Sequence, residues 1–141
     1  MSYMFQLCYA LISVSLFNTA ACTTMVGMFS SCQSLRTVPL FDTSACTAMS
    51  SMFSNCRSLT HVPQFNTPNV TTMGAMFNLC YKLKTVPLFN TASVTNMSSM
   101  FSNCQALTTV PLFNTPLVTN MSYMFNSHFF KNQITCLYCS I

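Results

Sequence analysis

The chain has 141 residues, of which 51% are apolar and only 4% are charged, and its formal net charge is +4. This length fits one domain, and the apolar content excludes a disordered chain, because ample apolar surface is available for burial. Its few cations are too sparse to indicate a nucleic-acid interface, and no apolar run reaches the ~20 residues that a membrane-spanning helix needs.

The segment 1–16 enters a repeated pattern part-way. The stretch MSYMF at 1–5 recurs at 121–125. The following stretch, LCYALISVSLFNTAAC at 7–22, has an apolar run like that of a secretory signal peptide. It lacks the basic start of such a peptide, and the repeat accounts for each of its apolar residues. We therefore expect it to belong to the repeat.

A sequence repeat runs through the chain at a constant period and without insertions. We number its positions 1 to 24, starting from a phenylalanine. Successive copies then start at Phe17, Phe41, Phe65, Phe89 and Phe113. One such copy cannot bury its own apolar edge, whereas stacked copies can. We predict a repeat solenoid over 1–126, with a partial copy at 1–16, and a degenerate repeat or cap at 127–141.

Positions 9, 12, 13 and 16 hold the apolar residues of the longest motif, as in Met73, Met76, Phe77 and Cys80. The spacing i, i+3, i+4, i+7 is typical of one face of an amphipathic helix. Thr71, at position 7, is placed to cap such a helix. The pattern predicts a short helix in each copy, with its apolar side chains stacked on those of the neighbouring copies.

Positions 19 to 24 read LRTVPL at 35–40, LKTVPL at 83–88 and LTTVPL at 107–112. This pattern resembles the L-x-x-L-x-L strand of leucine-rich repeats, with both leucines pointing inward. Proline at position 23 removes an amide from the ladder, so we expect a very short strand. The prediction is an α/β solenoid: a leucine-rich-repeat-like, right-handed stack of about five coils, each with a short parallel strand and a short helix.

The complete repeat, CxxLxxVPxFNTxxVTxMxxMFxxC, resembles the BspA-type leucine-rich repeats of bacterial and protist surface proteins, which also occur in phage-encoded proteins. The resemblance covers the chain from its start to about Asn126. It implies an open solenoid used for adhesion or partner binding, and it brings no catalytic residues.

Basic side chains concentrate at positions 17 to 21 of the repeat. We call the following five residues the basic strip: Arg36, Arg57, His61, Lys82 and Lys84. Lys131 falls at the same positions in the last copy. Such a strip can keep the surface soluble or guard an edge against sheet pairing. The functional hypothesis is contact with an anionic surface, such as a glycan, lipopolysaccharide or a virion partner.

Cysteine occupies position 16 in successive copies, and position 6 holds either cysteine or valine. Because valine can replace cysteine, we expect the cysteines at both positions to be buried free thiols. Cys136 and Cys139 near His128 offer three ligands at loose spacing, fewer than the four of a zinc site. We expect no metal and no cofactor. Asp42 is the only acid in the chain, so no carboxylate pair and no Ser-His-acid set can form. We expect no enzyme activity.

Two functions fit these observations. The first is a surface-displayed leucine-rich-repeat module, extracellular or on a cell or virion, that binds a protein or glycan partner. The second is a structural subunit that stacks end to end into a fibre. The residues expected at the stacking ends are Met1, Met4, Phe5, Met121, Met124 and Phe125. Neither hypothesis involves nucleic acid or a membrane span. Threonines at positions 3 and 7 would also suit ice binding, but turn and cap chemistry explains them.

Overall fold

A computed structural model describes residues 1–126, which form a stack of coils with one repeat in each coil. Equivalent side chains lie over one another along the stack. The rings at position 13 show this most clearly, because Phe53 lies 5.6 Å from Phe29 and 5.7 Å from Phe77, with the planes within 7° of parallel. The predicted solenoid is therefore present, and the predicted cap at 127–141 lies outside the described residues.

Residues 1–126 contain neither a helix nor a continuous strand. Their β pairing consists of isolated parallel bridges, which join Thr24 to Ala48, Ala48 to Thr72, Thr72 to Asn96, Asn96 to Asn120, and Thr85 to Thr109. The predicted strand at positions 19 to 24 is thus reduced to one bridge, Thr85 to Thr109, and the bridges at position 8 were not predicted. None of these residues forms a helix long and apolar enough to cross a membrane.

A chain of tight turns replaces the predicted helix at positions 9 to 16. Three of the amides in this segment bond to a carbonyl of the same coil, as Cys80 N–H does to the Phe77 carbonyl at 3.1 Å. The alternate amides bond to the next coil, as Phe77 N–H does to the Met100 carbonyl at 3.0 Å. Ala75 and Leu79 have φ of 55° and 61°, values outside the right-handed helical region. A helix cannot form here because every second amide serves the neighbouring coil.

The burial predicted from the helical spacing is nevertheless confirmed. Met73, Met76, Phe77 and Cys80 are completely buried, and so are their copies in the two adjacent coils. Phenylalanine at position 1 and Cys or Val at position 6 are buried as well, as Phe65 and Val70 show. The core is therefore a column of Met, Phe, Cys, Leu and Val rungs that runs the length of the stack.

Two threonine ladders join neighbouring coils rather than cap helices. At position 3 the threonines of the first four full copies are buried, and the Thr67 hydroxyl donates to the carbonyl of Asn90 in the next coil at 2.9 Å. At position 7 they are exposed, and the Thr71 hydroxyl donates to the carbonyl of Thr47 in the preceding coil at 3.1 Å. The predicted capping role of Thr71 is wrong, because no helix follows it.

The two leucines of each LxxVPL segment do not both point inward, which corrects the prediction. Leu83 is fully buried, whereas Leu88 is 53% exposed. Pro87 stands immediately before Leu88, and the buried Phe89 follows it. Because neighbouring side chains in an extended segment point to opposite faces, the inward Phe89 directs Leu88 outward.

The cysteines within residues 1–126 are free thiols, and six of them are buried, which confirms the prediction at those sites. The exception is Cys8, which is exposed in the first coil. Position-16 thiols donate to the position-13 carbonyl of the preceding coil, as Cys80 Sγ does to Phe53 at 3.0 Å. Burial in the apolar core raises the pKa of Cys32 to about 11 and that of Cys104 to about 12.

Candidate functional site

All five residues of the basic strip are exposed. The backbone holds them in register, because Lys84 N–H bonds to the Thr60 carbonyl at 3.2 Å and Thr60 N–H bonds to the Arg36 carbonyl at 3.3 Å. These residues share position 20 in three successive coils. At ~4.8 Å per coil, the Arg36 and Lys84 backbones lie roughly 10 Å apart.

Arg57 is held against an aromatic ring of the next coil. Its guanidinium carbon lies 5.7 Å from the centroid of the Tyr81 ring, and its Nε donates to Asn55 Oδ1 at 2.9 Å. Tyr81 is half-buried and Arg57 is exposed, and a cation–ring contact near the surface contributes ~0.5–1 kcal/mol. His61 lies on the same strip, with Nδ1 at 3.1 Å from the Thr60 hydroxyl. Arg57 and Tyr81 thus place a charge and an aromatic ring together at position 17 of neighbouring coils.

The cations of the strip have no ion-pair partner within residues 1–126. Asp42 is at position 2, away from the strip positions. Its carboxylate accepts hydrogen bonds from Ser44 Oγ at 2.7 Å and Ser44 N–H at 3.0 Å. These bonds lower the pKa of Asp42 below its ordinary value. The strip therefore presents uncompensated positive charge to a ligand.

The exposed cations of the strip can attract an anionic ligand. His61 has no carboxylate beside it, because the chain has a single acid and that acid lies at another position of the repeat. Among residues 1–126 no group of three or more His, Cys, Asp or Glu side chains is placed to hold a metal ion. Cys136, Cys139 and His128 lie outside the part of the chain that the structure describes.

The residues expected at the stacking ends differ in exposure. Met1 is 40% and Met4 is 54% exposed, and Phe5 is half-buried against Phe29 at a ring distance of 5.3 Å. At the other end of the described stack, Met124 is buried, and Met121 and Phe125 are half-buried. The apolar surface is therefore much larger at the first coil.

Sequence reasoning missed one surface, the row of exposed leucines at position 24. We call the following residues the leucine stripe: Leu16, Leu40, Leu88 and Leu112, with Gln64 in the middle copy. The signal was present, because positions 9, 12 and 13 of the core hold apolar residues in every described coil. A polar residue such as Gln64 at position 24 indicates a surface position.

The sequence matches the family described as "Mycoplasma protein of unknown function, DUF285" over residues 1–109 and again over residues 60–137. No curated protein shows significant sequence similarity to it. A leucine-rich repeat protein from Eubacterium ventriosum has a similar structure, with a TM-score of 0.57 and 25% identity.

That similarity covers 79% of this chain but only 29% of the Eubacterium protein, so the chain spans less than a third of its length. A leucine-rich repeat protein from T. pallidum is similar over 92% of this chain and 72% of its own, with a TM-score of 0.50 and 17% identity. These likenesses assign the fold to the leucine-rich repeat solenoids.

Proposed function

The chain belongs to the DUF285 family, and from this premise and its leucine-rich repeat fold we propose that it is a non-enzymatic binding module of a cell or virion surface. The basic strip is its contact site, and an acidic glycan is the partner. The observation that carries the proposal is the segregation of charge, since the exposed cations share one strip while Asp42 lies elsewhere.

The chemistry of the chain supports binding rather than catalysis. Hydrolysis of glycosidic bonds usually needs two carboxyl groups, and Asp42 is the only acid in the sequence. Within the leucine-rich repeat proteins, we assign the repeat to the BspA type, on the pattern of its positions. The adhesive role of that type agrees with an open, rigid stack of coils.

The strip has the features that a sugar polymer with acidic groups requires. Arg36 and Lys84 carry charge at two points along the stack, and Tyr81 offers an aromatic face, half-buried and backed by Arg57. Exposed threonines and Gln105 flank these groups and supply hydrogen bonds. Because the charges are exposed, we expect weak and salt-dependent binding.

Replacing Arg36, Arg57 and Lys84 together with serine tests the site. We expect at least a tenfold loss of affinity for an acidic polysaccharide such as heparin, because even ~0.5 kcal/mol per lost contact adds up to that factor. Biolayer interferometry on immobilised heparin, at several salt concentrations, measures the effect. Neutral dextran serves as the reference polymer.

The matched control keeps the charge by replacing Arg36 and Arg57 with lysine and Lys84 with arginine. Its affinity should stay within about threefold of the wild type, because point charge rather than bidentate geometry carries the contact. Undiminished heparin binding by the serine variant, with no dependence on salt, would show that the strip is not the site. If the chain bound a protein receptor but not heparin, the partner of the strip would be a protein rather than a glycan.

End-to-end assembly is a second candidate, favoured by the first coil. Met1 and Met4 are exposed, whereas Met25 and Met28 at the same positions of the next coil are fully buried. A second copy could cover the first coil as residues 25–32 do within the chain. Negative-stain microscopy of concentrated protein should then show filaments, and Met4→Ser should shorten them. If only single molecules were seen at every concentration, end-to-end assembly would be excluded.

A further inference from the structure

The leucine stripe carries an inference beyond the proposed glycan site. Its four leucines are 53% to 67% exposed, although they lie in line along the stack of coils. Monomeric proteins rarely expose large apolar patches unless these bind a partner. The stripe lies at position 24, separate from the basic strip at positions 17 to 21.

The order of residues along the stripe is symmetric. Leu40 and Leu88 lie one coil from Gln64, on opposite sides of it, and Leu16 and Leu112 lie two coils from it. Read in either direction along residues 1–126, the stripe therefore presents Leu, Leu, Gln, Leu, Leu. A surface that reads the same in both directions matches a second copy of itself that runs antiparallel.

Grooves run beside the leucines in both halves of the stripe. A groove of about 440 Å³ runs beside Leu16 and Leu40 on one side of Gln64. A longer groove of about 480 Å³ begins at Gln64 and runs beside Leu88 and Leu112. Phenylalanine and threonine of positions 1 and 3 line both grooves. Each half of the face thus offers an apolar ridge with a recess beside it.

The polar groups of this face also suit a second copy. Gln64 Nε2 donates to the Leu88 carbonyl at 3.1 Å, and its Oε1 has no hydrogen-bond partner within residues 1–126. Asp42, the only charged residue of the face, stands one coil from the centre, as Asn90 does on the opposite side. No like charges would meet in an antiparallel pair, because a carboxylate would face a carboxamide.

We propose that two copies of the chain pair through the leucine stripe, antiparallel, about a twofold axis that passes between their Gln64 side chains. Leu40 then packs against the partner's Leu88, and Leu16 against the partner's Leu112. The two Gln64 carboxamides bond to each other at the centre. A second copy is favoured over any other occupant because it has the same rise per coil, so every leucine meets a leucine.

Such a pair closes on itself, which separates it from end-to-end assembly. An isologous interface uses the same patch on both copies and therefore stops at the dimer. Within residues 1–126 the face spans five coils, which places the interface near the small end of stable complexes. We expect association in the micromolar range rather than an obligate dimer. Since the basic strip stays exposed, a dimer would bring two strips to one acidic polymer.

Sedimentation velocity over a range of concentrations tests the pairing. The wild-type chain should show a reversible monomer–dimer equilibrium, with no larger species from this surface. The double variant Leu40→Asn and Leu88→Asn should weaken it by roughly a hundredfold, because each change is felt twice in a twofold pair. Gln64→Leu should strengthen it by completing the apolar stripe.

Ile12→Asn is the matched control, since Ile12 is 56% exposed but lies at position 20, on the face of the basic strip. It should leave the dimer unchanged. The register is checked by placing a benzoyl-phenylalanine photo-crosslinker at residue 40 and sequencing the adduct. A crosslink to the segment around Leu88 supports the antiparallel pair.

Several results would overturn the proposal. A wild-type chain that stays monomeric at millimolar concentration would do so, and so would a dimer that survives the double variant. Crosslinks from residue 40 to residue 40 of the partner would show parallel rather than antiparallel pairing. Loss of the dimer in Ile12→Asn would place the contact on another face.

Discussion

Phe77→Ala is expected to remove a large part of the stability of the fold. The Phe77 ring is completely buried, and its centroid lies 5.7 Å from those of Phe53 and Phe101 and 6.2 Å from that of Phe89. Truncation of a buried phenylalanine costs about 3–5 kcal/mol through lost transfer energy and the remaining cavity. Domains of this size are stable by only about 5–15 kcal/mol.

Urea unfolding followed by circular dichroism measures the loss. Leu88→Ala is the matched control, because it removes apolar volume from an exposed position, and we expect a change within about 0.5 kcal/mol. Phe5→Ala should fall between the two, since Phe5 is half-buried and stacks on Phe29 alone among the position-13 rings. A cost below about 1 kcal/mol for Phe77→Ala would contradict a continuous stacked core.

Much of this core could be predicted from the repeat, but its backbone could not. The spacing of Met73, Met76, Phe77 and Cys80 identified the side chains that point inward, and all four are buried. Hydrophobic spacing reports the direction of side chains and carries no information about the acceptor of each amide. The Phe77 amide bonds to Met100 in the next coil, so the same spacing arises from turns instead of a helix.

The positive φ angles were equally hidden. Ala75 and Leu79 adopt left-handed backbone conformations at positions where their copies include Gly27 and Asn55. Glycine and asparagine tolerate that conformation best, so their presence at these positions is the evidence for it in the sequence. Because alanine, serine and leucine occupy most of these positions, the helical pattern was the stronger signal.

For the candidate site, position in the repeat predicted the direction of each cation but not its contacts. Residues at neighbouring positions of stacked coils must share a face, and the basic strip is exposed on one face as the sequence indicated. The contact of Arg57 with Tyr81 depends on side-chain conformations across two coils, which the order of residues does not reveal. The leucine stripe was misassigned for a related reason. The LxxVPL pattern does not show that the leucine after the proline faces solvent.

The column of buried thiols leads to the second large effect, a steep loss of stability in alkali. Burial raises the pKa of Cys56, Cys80 and Cys104 in the folded chain, and the neighbouring thiols of the column raise that of Cys56 and Cys80 further. Their ordinary value is 9.0. In the unfolded chain these groups titrate near that value, whereas in the folded chain they keep their protons to higher pH.

The sign follows from this difference. Above pH 9 the unfolded chain binds fewer protons than the folded chain, so the free energy of unfolding falls as pH rises. Below pH 9 the thiols are protonated in both states, and their contribution to stability is complete. Each such thiol contributes a slope of about 1.4 kcal/mol per pH unit. Three of them would remove roughly 4 kcal/mol per unit, which is enough to unfold a marginally stable chain within about two units.

Urea unfolding in reducing buffer between pH 7 and pH 11 should show a flat region followed by this decline. Cys80→Val removes one titrating group while keeping an apolar side chain of similar size, the exchange that the repeat itself makes between Cys46 and Val70. Its slope above pH 9 should be smaller by about 1.4 kcal/mol per unit. Met76→Leu alters packing in the same core without removing a thiol, so its slope should equal that of the wild type. Equal slopes for Cys80→Val and the wild type would mean that the Cys80 thiol can ionise in the folded chain, which the dry stack of rings and sulfurs around it does not allow.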